Sequence, residues 1–169
     1  VTALPADVFS DSSLETVKLP STLETIGSQA FYNCVNLISI ELPDSVKSIG
    51  YRVFEGCGNL ETVKLSEQLL SIGQSAFHNC VNLTSIELPD SLTSLGTRAF
   101  YKCENLRRVS IGSGLAKIPD YAFYKCIKLE DLTVSDGVTE IGRYAFRGCE
   151  SLAELYLSRE LTAIGDYAF

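Results

Sequence analysis

The sequence predicts a repeat solenoid, a curved stack of parallel strands returned by short turns, and three observations carry that prediction. All eight phenylalanines lie on one period: Phe9, Phe31, Phe54, Phe77, Phe100, Phe123, Phe146 and Phe169, evenly spaced after a first step that is one position shorter. All six cysteines keep it too, at Cys34, Cys57, Cys80, Cys103, Cys126 and Cys149. So does a glycine-or-proline column that reads Pro5, Gly27, Gly50, Gly73, Gly96, Pro119, Gly142 and Gly165. A residue type confined to one phase of a repeat serves the repeat, and units of this length stack on their neighbours instead of wrapping one central core. Residues 1–169 are therefore expected to form a single array of about seven 23-residue repeats. The chain opens and closes in mid-repeat, so it is read as a piece of a longer protein without the polar caps that usually end such arrays.

Residues 4–9 are the second half of a repeat, and seven strand-type segments follow, at 14–19, 37–42, 60–65, 83–88, 106–111, 129–134 and 152–157. Each is apolar at its first, fourth and sixth positions, and the last two of these alternate with polar residues as in a half-buried strand. Pro20, Pro43 and Pro89 close three of them, since a missing N–H ends a ladder. A turn such as Asp90-Ser91 then leads to a second apolar pair, Leu92 and Leu95 in that repeat, and to the glycine column. Proline occupies that column twice, and its ring locks φ at a negative value, so the column is not expected to need positive φ. The Ala-Phe-x-x-Cys segment behind it, as in Ala99 to Cys103, predicts one or two helical or 3₁₀ turns with Ala and Cys on one buried face.

Composition excludes several function classes. The net charge of −7, with pI near 4.7, disfavours nucleic acid and anionic membrane surfaces as partners. The chain has no apolar run long enough to span a membrane, so no insertion is expected, and no signal peptide opens at Val1. No two cysteines are closer in sequence than one full repeat, and the single histidine, His78, stands beside only Cys80. Zinc wants ligands clustered at short spacing, so no metal and no cofactor is expected, and the cysteines are read as buried free thiols. Nucleophilic catalysis would have to pass through His78, whose counterparts in other repeats are Tyr32, Glu55, Tyr101, Tyr124 and Arg147. A position that variable reads as surface, and the chain reads as no enzyme. Asn36, Asn59, Asn82 and Asn105 read as turn residues; Asn82-Leu83-Thr84 is also a glycosylation sequon.

Candidate binding residues come from columns that vary while the frame does not. On the strand face one column runs Lys18, Glu41, Lys64, Glu87, Ser110, Thr133, Tyr156, and another runs Thr16, Ser39, Thr62, Ser85, Arg108, Asp131, Glu154. Column neighbours on parallel strands are side by side. One reading is mutual pairing, with Lys18, Glu41, Lys64 and Glu87 as an alternating ladder and Arg108 facing Asp131; exposed pairs of this kind contribute about 0–1 kcal/mol. The other reading is a polar recognition surface, strongest where Arg107, Arg108, Asp131, Glu154 and Tyr156 gather, because Tyr and Arg are enriched at binding hot spots. A secondary surface is expected at Tyr121, Tyr144 and Tyr167, one column on three successive repeats with Arg143 and Arg147 near.

The recurring pattern LxxVxLPxxLxxIGxxAFxxCxxL, seen as LISIELPDSVKSIGYRVFEGCGNL at residues 37–60, closely resembles the leucine-rich repeats of the BspA-like family, also called the Treponema pallidum type. The resemblance covers essentially the whole chain. It departs where Ser12 replaces the first Cys and where Ser66, Gly112, Ser135 and Ser158 replace the strand-end Pro. It implies a right-handed leucine-rich-repeat superhelix of α/β type. A concave parallel sheet would face short helical or 3₁₀ turns and extended segments on the convex side. It also implies a bacterial or protist protein that is displayed on the cell surface or secreted. Such a protein would act as an adhesin-like module whose concave face binds another protein, such as a host extracellular-matrix or surface protein. The rival expectation is structural: a spacer or stalk that displays another domain, or that associates end to end.

Overall fold

Each 23-residue repeat closes one turn of a coil. The structure is a computed structural model that describes residues 1–169. In chain order its strands are β1 (Ala3–Leu4), β2 (Thr25–Ile26), β3 (Ser39–Glu41), β4 (Ser48–Ile49), β5 (Thr62–Lys64), β6 (Ser71–Ile72), β7 (Ser85–Leu88), β8 (Ser94–Leu95), β9 (Arg108–Ile111), β10 (Lys117–Ile118), β11 (Asp131–Val134), β12 (Glu140–Ile141) and β13 (Ala163–Ile164). Two ladders run along the coil. The longer strands pair as β3–β5 and β7–β9–β11, and the two-residue strands as β1-β2-β4-β6-β8 and β10-β12-β13. Every pairing is parallel and in register with the repeat, as in Glu41 beside Lys64 and Asp131 beside Arg108. The repeat length therefore sets which side chains become neighbours.

A third stack lies at the phenylalanine corner. Successive rings from Phe9 to Phe169 sit 5.1–5.5 Å apart. The amide of each from Phe9 to Phe146 also donates to the next coil, as Phe54 N does to the carbonyl of Ala76 at 2.7 Å. Phe31 to Phe146 are almost completely buried in one continuous core with the leucine and isoleucine columns. The cysteines complete this corner. Each thiol donates to the phenylalanine carbonyl of the preceding coil, from Cys34 Sγ to Phe9 O at 3.0 Å through to Cys149 Sγ to Phe123 O at 3.3 Å. All six thiols are free, and all but Cys149 are fully buried.

The expected helical turns are absent. The Ala-Phe-x-x-Cys segment is a run of turns, because alternate amides, such as Phe100 N and Lys102 N, donate to the neighbouring coil, while Ala99, Tyr101 and Cys103 N each close only a single turn three residues back. Left-handed residues also cut it. The column Asp7, Gln29, Arg52, Ser75, Arg98, Tyr121, Tyr144, Tyr167 has φ of 53–59°, and Asp11, Asn33, Asn79, Lys102 and Lys125 repeat the conformation four residues later beside Gly56 and Gly148.

The glycine column itself is not left-handed, as expected. Its constraint is proximity: a Cβ on Gly73 would meet the Gly50 backbone at 2.5 Å, and one on Gly96 the Gln74 nitrogen at 2.3 Å. These glycines also donate to the coil behind, as Gly96 N does to Ile72 O at 2.8 Å. Pro119 has no N–H to donate, and the short ladder breaks between β8 and β10. Of the seven expected long strands, five form. Residues 152–157 contribute one bridge, Tyr156 to Thr133, and residues 14–19 none, since each of these coils has a neighbouring long strand on one side only.

Candidate functional site

The long strands alternate buried and exposed residues, Ile86 and Leu88 inward and Ser85 and Glu87 outward in β7. This presents the two expected columns to solvent. Within the first column the four-membered charge ladder reduces to one pair, Lys64 Nζ donating to Glu41 Oε1 at 2.5 Å. That carboxylate holds the Lys64 ammonium above the usual lysine pKa. Lys18 and Glu87 take no part in the seven ion pairs of the chain. Lys18 instead borders a hollow of about 380 Å³ with Val17, Leu19, Glu41 and Pro43.

The second column behaves differently from its expected pairing. Arg108 and Asp131 are direct neighbours in register, yet they form no ion pair with each other, while Arg107 pairs with Glu130 at 3.6 Å. Arg108 and Asp131 line a small hollow of about 220 Å³ with Ser85, Glu87, Ser110 and Thr133. Beyond it Tyr156, 75% exposed, donates its hydroxyl to Glu154 at 3.4 Å. Arg108, Asp131, Glu154 and Tyr156 thus occupy three successive coils of one face.

The tyrosine column forms the secondary surface. Tyr121 and Tyr144 stack at 4.8 Å, Tyr144 and Tyr167 at 5.3 Å. The structure adds residues that the column alone did not reveal: Tyr101 and Tyr124 stack at 4.8 Å beside it, and Tyr124 lies 5.7 Å from Tyr121. Cations lie over the rings, with Arg98 5.3 Å from Tyr121 and Arg147 5.2 Å from Tyr144. Lys102 lies over Tyr101 and Lys125 over Tyr124, each at 5.8 Å. The signal was present in the column after each phenylalanine, where Tyr101 and Tyr124 are consecutive members.

The remaining reactive groups are wholly or partly buried. His78 Nδ1 lies 3.3 Å from Glu55 Oε1 and the ring meets Tyr101 edge-on; burial pushes the imidazole below its usual pKa while Glu55 opposes that shift. Burial pushes the Cys57 and Cys149 thiols up to about 12, and Cys80, Cys103 and Cys126 well above the ordinary value. These thiols stay protonated near neutrality, when nucleophilic attack or metal ligation needs the thiolate. Asn82 is half-buried, donating to Asn59 and accepting from Asn105 in an asparagine ladder.

A coil of long strand, turn, two-residue strand and phenylalanine turn, stacked in register repeat upon repeat, defines a leucine-rich-repeat solenoid whose long strands line the concave side. The chain belongs to the BspA-type leucine-rich-repeat family. The sequence profile described as BspA type leucine rich repeat region (6 copies) matches residues 2–126 and 70–169. Among solved structures, a leucine-rich repeat protein from Bacteroides ovatus superimposes with a TM-score of 0.77 at 29% identity, over 98% of this chain and 49% of that one. The T. pallidum leucine-rich repeat protein matches at 0.60 and 27% identity, over 90% of this chain and 78% of that one. Pneumococcal vaccine antigen PcpA shares the fold at 0.61 and 21% identity, over 90% of this chain and 36% of that one. The chain thus spans about half the length of the Bacteroides protein it matches. No curated protein matches the sequence. Leucine-rich repeats of this family are generally non-enzymatic repeat scaffolds.

Proposed function

We propose that this array is a non-enzymatic protein-binding module of a cell-surface or secreted, adhesin-like protein, engaging its partner through the concave strand face. One observation carries the reading. Arg108 and Asp131 are adjacent across β9 and β11 without an ion pair, so their charges remain available in a polar hollow of about 220 Å³. Arg107, Glu154 and Tyr156 extend the same face, and Lys18, Glu41, Lys64 and Glu87 continue it along the coil. Unpaired Arg and exposed Tyr suit a protein partner more than a small molecule, because the hollow is small and hot spots favour these two residues. An extracellular-matrix or host-surface protein is the partner class that the family likeness favours.

The test is a binding screen against extracellular-matrix and serum proteins with the wild type and an R108E/D131K/E154K variant. Binding by the wild type that the variant loses, with an unchanged thermal melt, supports the concave face. Binding that survives in the variant removes the concave face as the site. Binding to nothing favours the rival reading, a spacer or stalk, which the uninterrupted Phe9–Phe169 stack would serve as a rigid rod.

A further inference from the structure

The face across the coil from the long strands carries a second, separate arrangement. Residues 1–96 hold 4 basic and 11 acidic side chains, whereas residues 97–169 hold 10 of each. The entire net charge of −7 therefore belongs to the first four coils. Several of the added cations are gathered over the tyrosines. Arg98, Lys102, Lys125 and Arg147 take part in no ion pair, while Arg143 is partly neutralised by Asp166 at 3.9 Å. Four unpaired cations held on aromatic faces within a few coils make an anion-binding surface.

The choice of residue at one left-handed position, shared by every coil, marks the same place. Tyr121, Tyr144 and Tyr167 have φ of 58°, 56° and 54°, a region that bulky side chains seldom enter. The same column is filled by Asp7, Gln29, Ser75 and other polar residues in earlier coils, so the fold does not require tyrosine there. A disfavoured residue repeated on three successive coils points to surface chemistry and not to folding.

We propose that this tyrosine–cation face is a second binding surface whose ligand is an acidic polypeptide segment, held by carboxylates on Arg98, Lys102, Lys125 and Arg147 and by the phenol edges of Tyr121 and Tyr144. The geometry selects among anionic partners. Sugars and nucleobases are held by stacking on open aromatic faces, and here the faces of Tyr121 and Tyr144 are closed by each other at 4.8 Å and by guanidinium groups. The groups left without a partner are the guanidinium forks of Arg98 and Arg147, the ammonium groups of Lys102 and Lys125 and the hydroxyls of Tyr121 and Tyr144, all of which match side-chain carboxylates. The acidic first half also repels a long polyanion along the coil but not a short segment confined to these coils.

The test uses a fluorescently labelled polyglutamate peptide, read by anisotropy at low salt. The whole chain is compared with R98Q/R147Q, K102Q/K125Q and Y121S/Y144S, the last placing in this column the serine that Ser75 already carries there. Wild-type binding that weakens with added salt, and falls about tenfold or more in each variant, is the expected result; the R108E/D131K/E154K variant should bind the peptide as the wild type does. That control separates this surface from the concave one, so either can fail alone. No peptide binding by the wild type overturns the proposal, as do charge variants that bind equally well. Preference for heparin with no uptake of polyglutamate overturns it in favour of a sulfated polysaccharide. Loss in the charge variants but not in Y121S/Y144S overturns the part given to the tyrosines.

Discussion

Residues 1–96 and residues 97–169 are built on one template and present different surfaces. Inside, the halves are interchangeable: the same Phe, Cys, Leu and Ile columns run through both with ring spacings of 5.1–5.5 Å. Outside, the first half is acidic and its left-handed column is polar, while the second half is neutral overall and carries the stacked tyrosines and the unpaired Arg108. The halves also meet at the one interruption of the short ladder, ahead of Pro119. The difference teaches that stability in this coil is fixed by the interior columns and the register, which leaves the two outer faces free to diverge.

The largest expected effect treats the halves alike. An ordinary thiol loses its proton near pH 9.0, but burial pushes Cys57 in the first half and Cys149 in the second up to about 12. Because the folded-state pKa is raised, the folded chain binds more protons than the unfolded one above pH 9. Their stabilisation is complete below about 9 and is lost as pH rises towards about 12. Each such thiol forfeits about 1.4 kcal/mol per pH unit in that window, and burial raises the other four thiols in the same direction. The urea midpoint should therefore hold up to about pH 9 and fall steeply from there towards about pH 11. Thiol reagents should find six reactive groups only after unfolding. A midpoint that holds through this range would show that the thiols ionise in the folded coil.

Next in size are the rings. Phe54→Ala and Phe123→Ala, one in each half, should each lower stability by about 3–5 kcal/mol, and by similar amounts, since both are fully buried between two stacked neighbours. Urea unfolding of the two variants measures this directly. A large inequality between them would break the claim of a common interior.

How far such a comparison could be foreseen depends on the residue. The register was legible because Phe and Cys appear in one phase only, and elements kept one repeat apart on parallel strands must become neighbours. The core followed from the same columns. The turn conformation was not legible, because Ala99 and Cys103 at a four-residue spacing fit a helix as well as a turn. The left-handed column, moreover, contains Gln29, Arg52 and Tyr121 and no glycine that would announce it. The neighbouring left-handed column did carry a signal in Asn33, Gly56, Asn79 and Gly148. The candidate surfaces were legible as columns but not as contacts. Long exposed side chains choose partners by rotamer, so Lys64 reached Glu41 while Arg108 left Asp131 alone.

The glycine column separates the halves more finely. Gly73→Ala places a Cβ 2.5 Å from the Gly50 backbone, an overlap that only a shift of the coils relieves, and should cost about 1–3 kcal/mol. Pro119→Ala adds no new Cβ to the column. It also supplies an N–H at the step where the short ladder is open, and a backbone hydrogen bond formed there would contribute about 0.5–1.5 kcal/mol. The proline's restriction of the unfolded chain is lost in exchange, about 0.4–1 kcal/mol, so the net change should stay below that at Gly73. Amide exchange sharpens the test, because closure of the ladder would slow exchange at residue 119 and its neighbours. A Pro119→Ala variant as unstable as Gly73→Ala would mean that the interruption is imposed by packing around β8 and β10, and not by the missing donor.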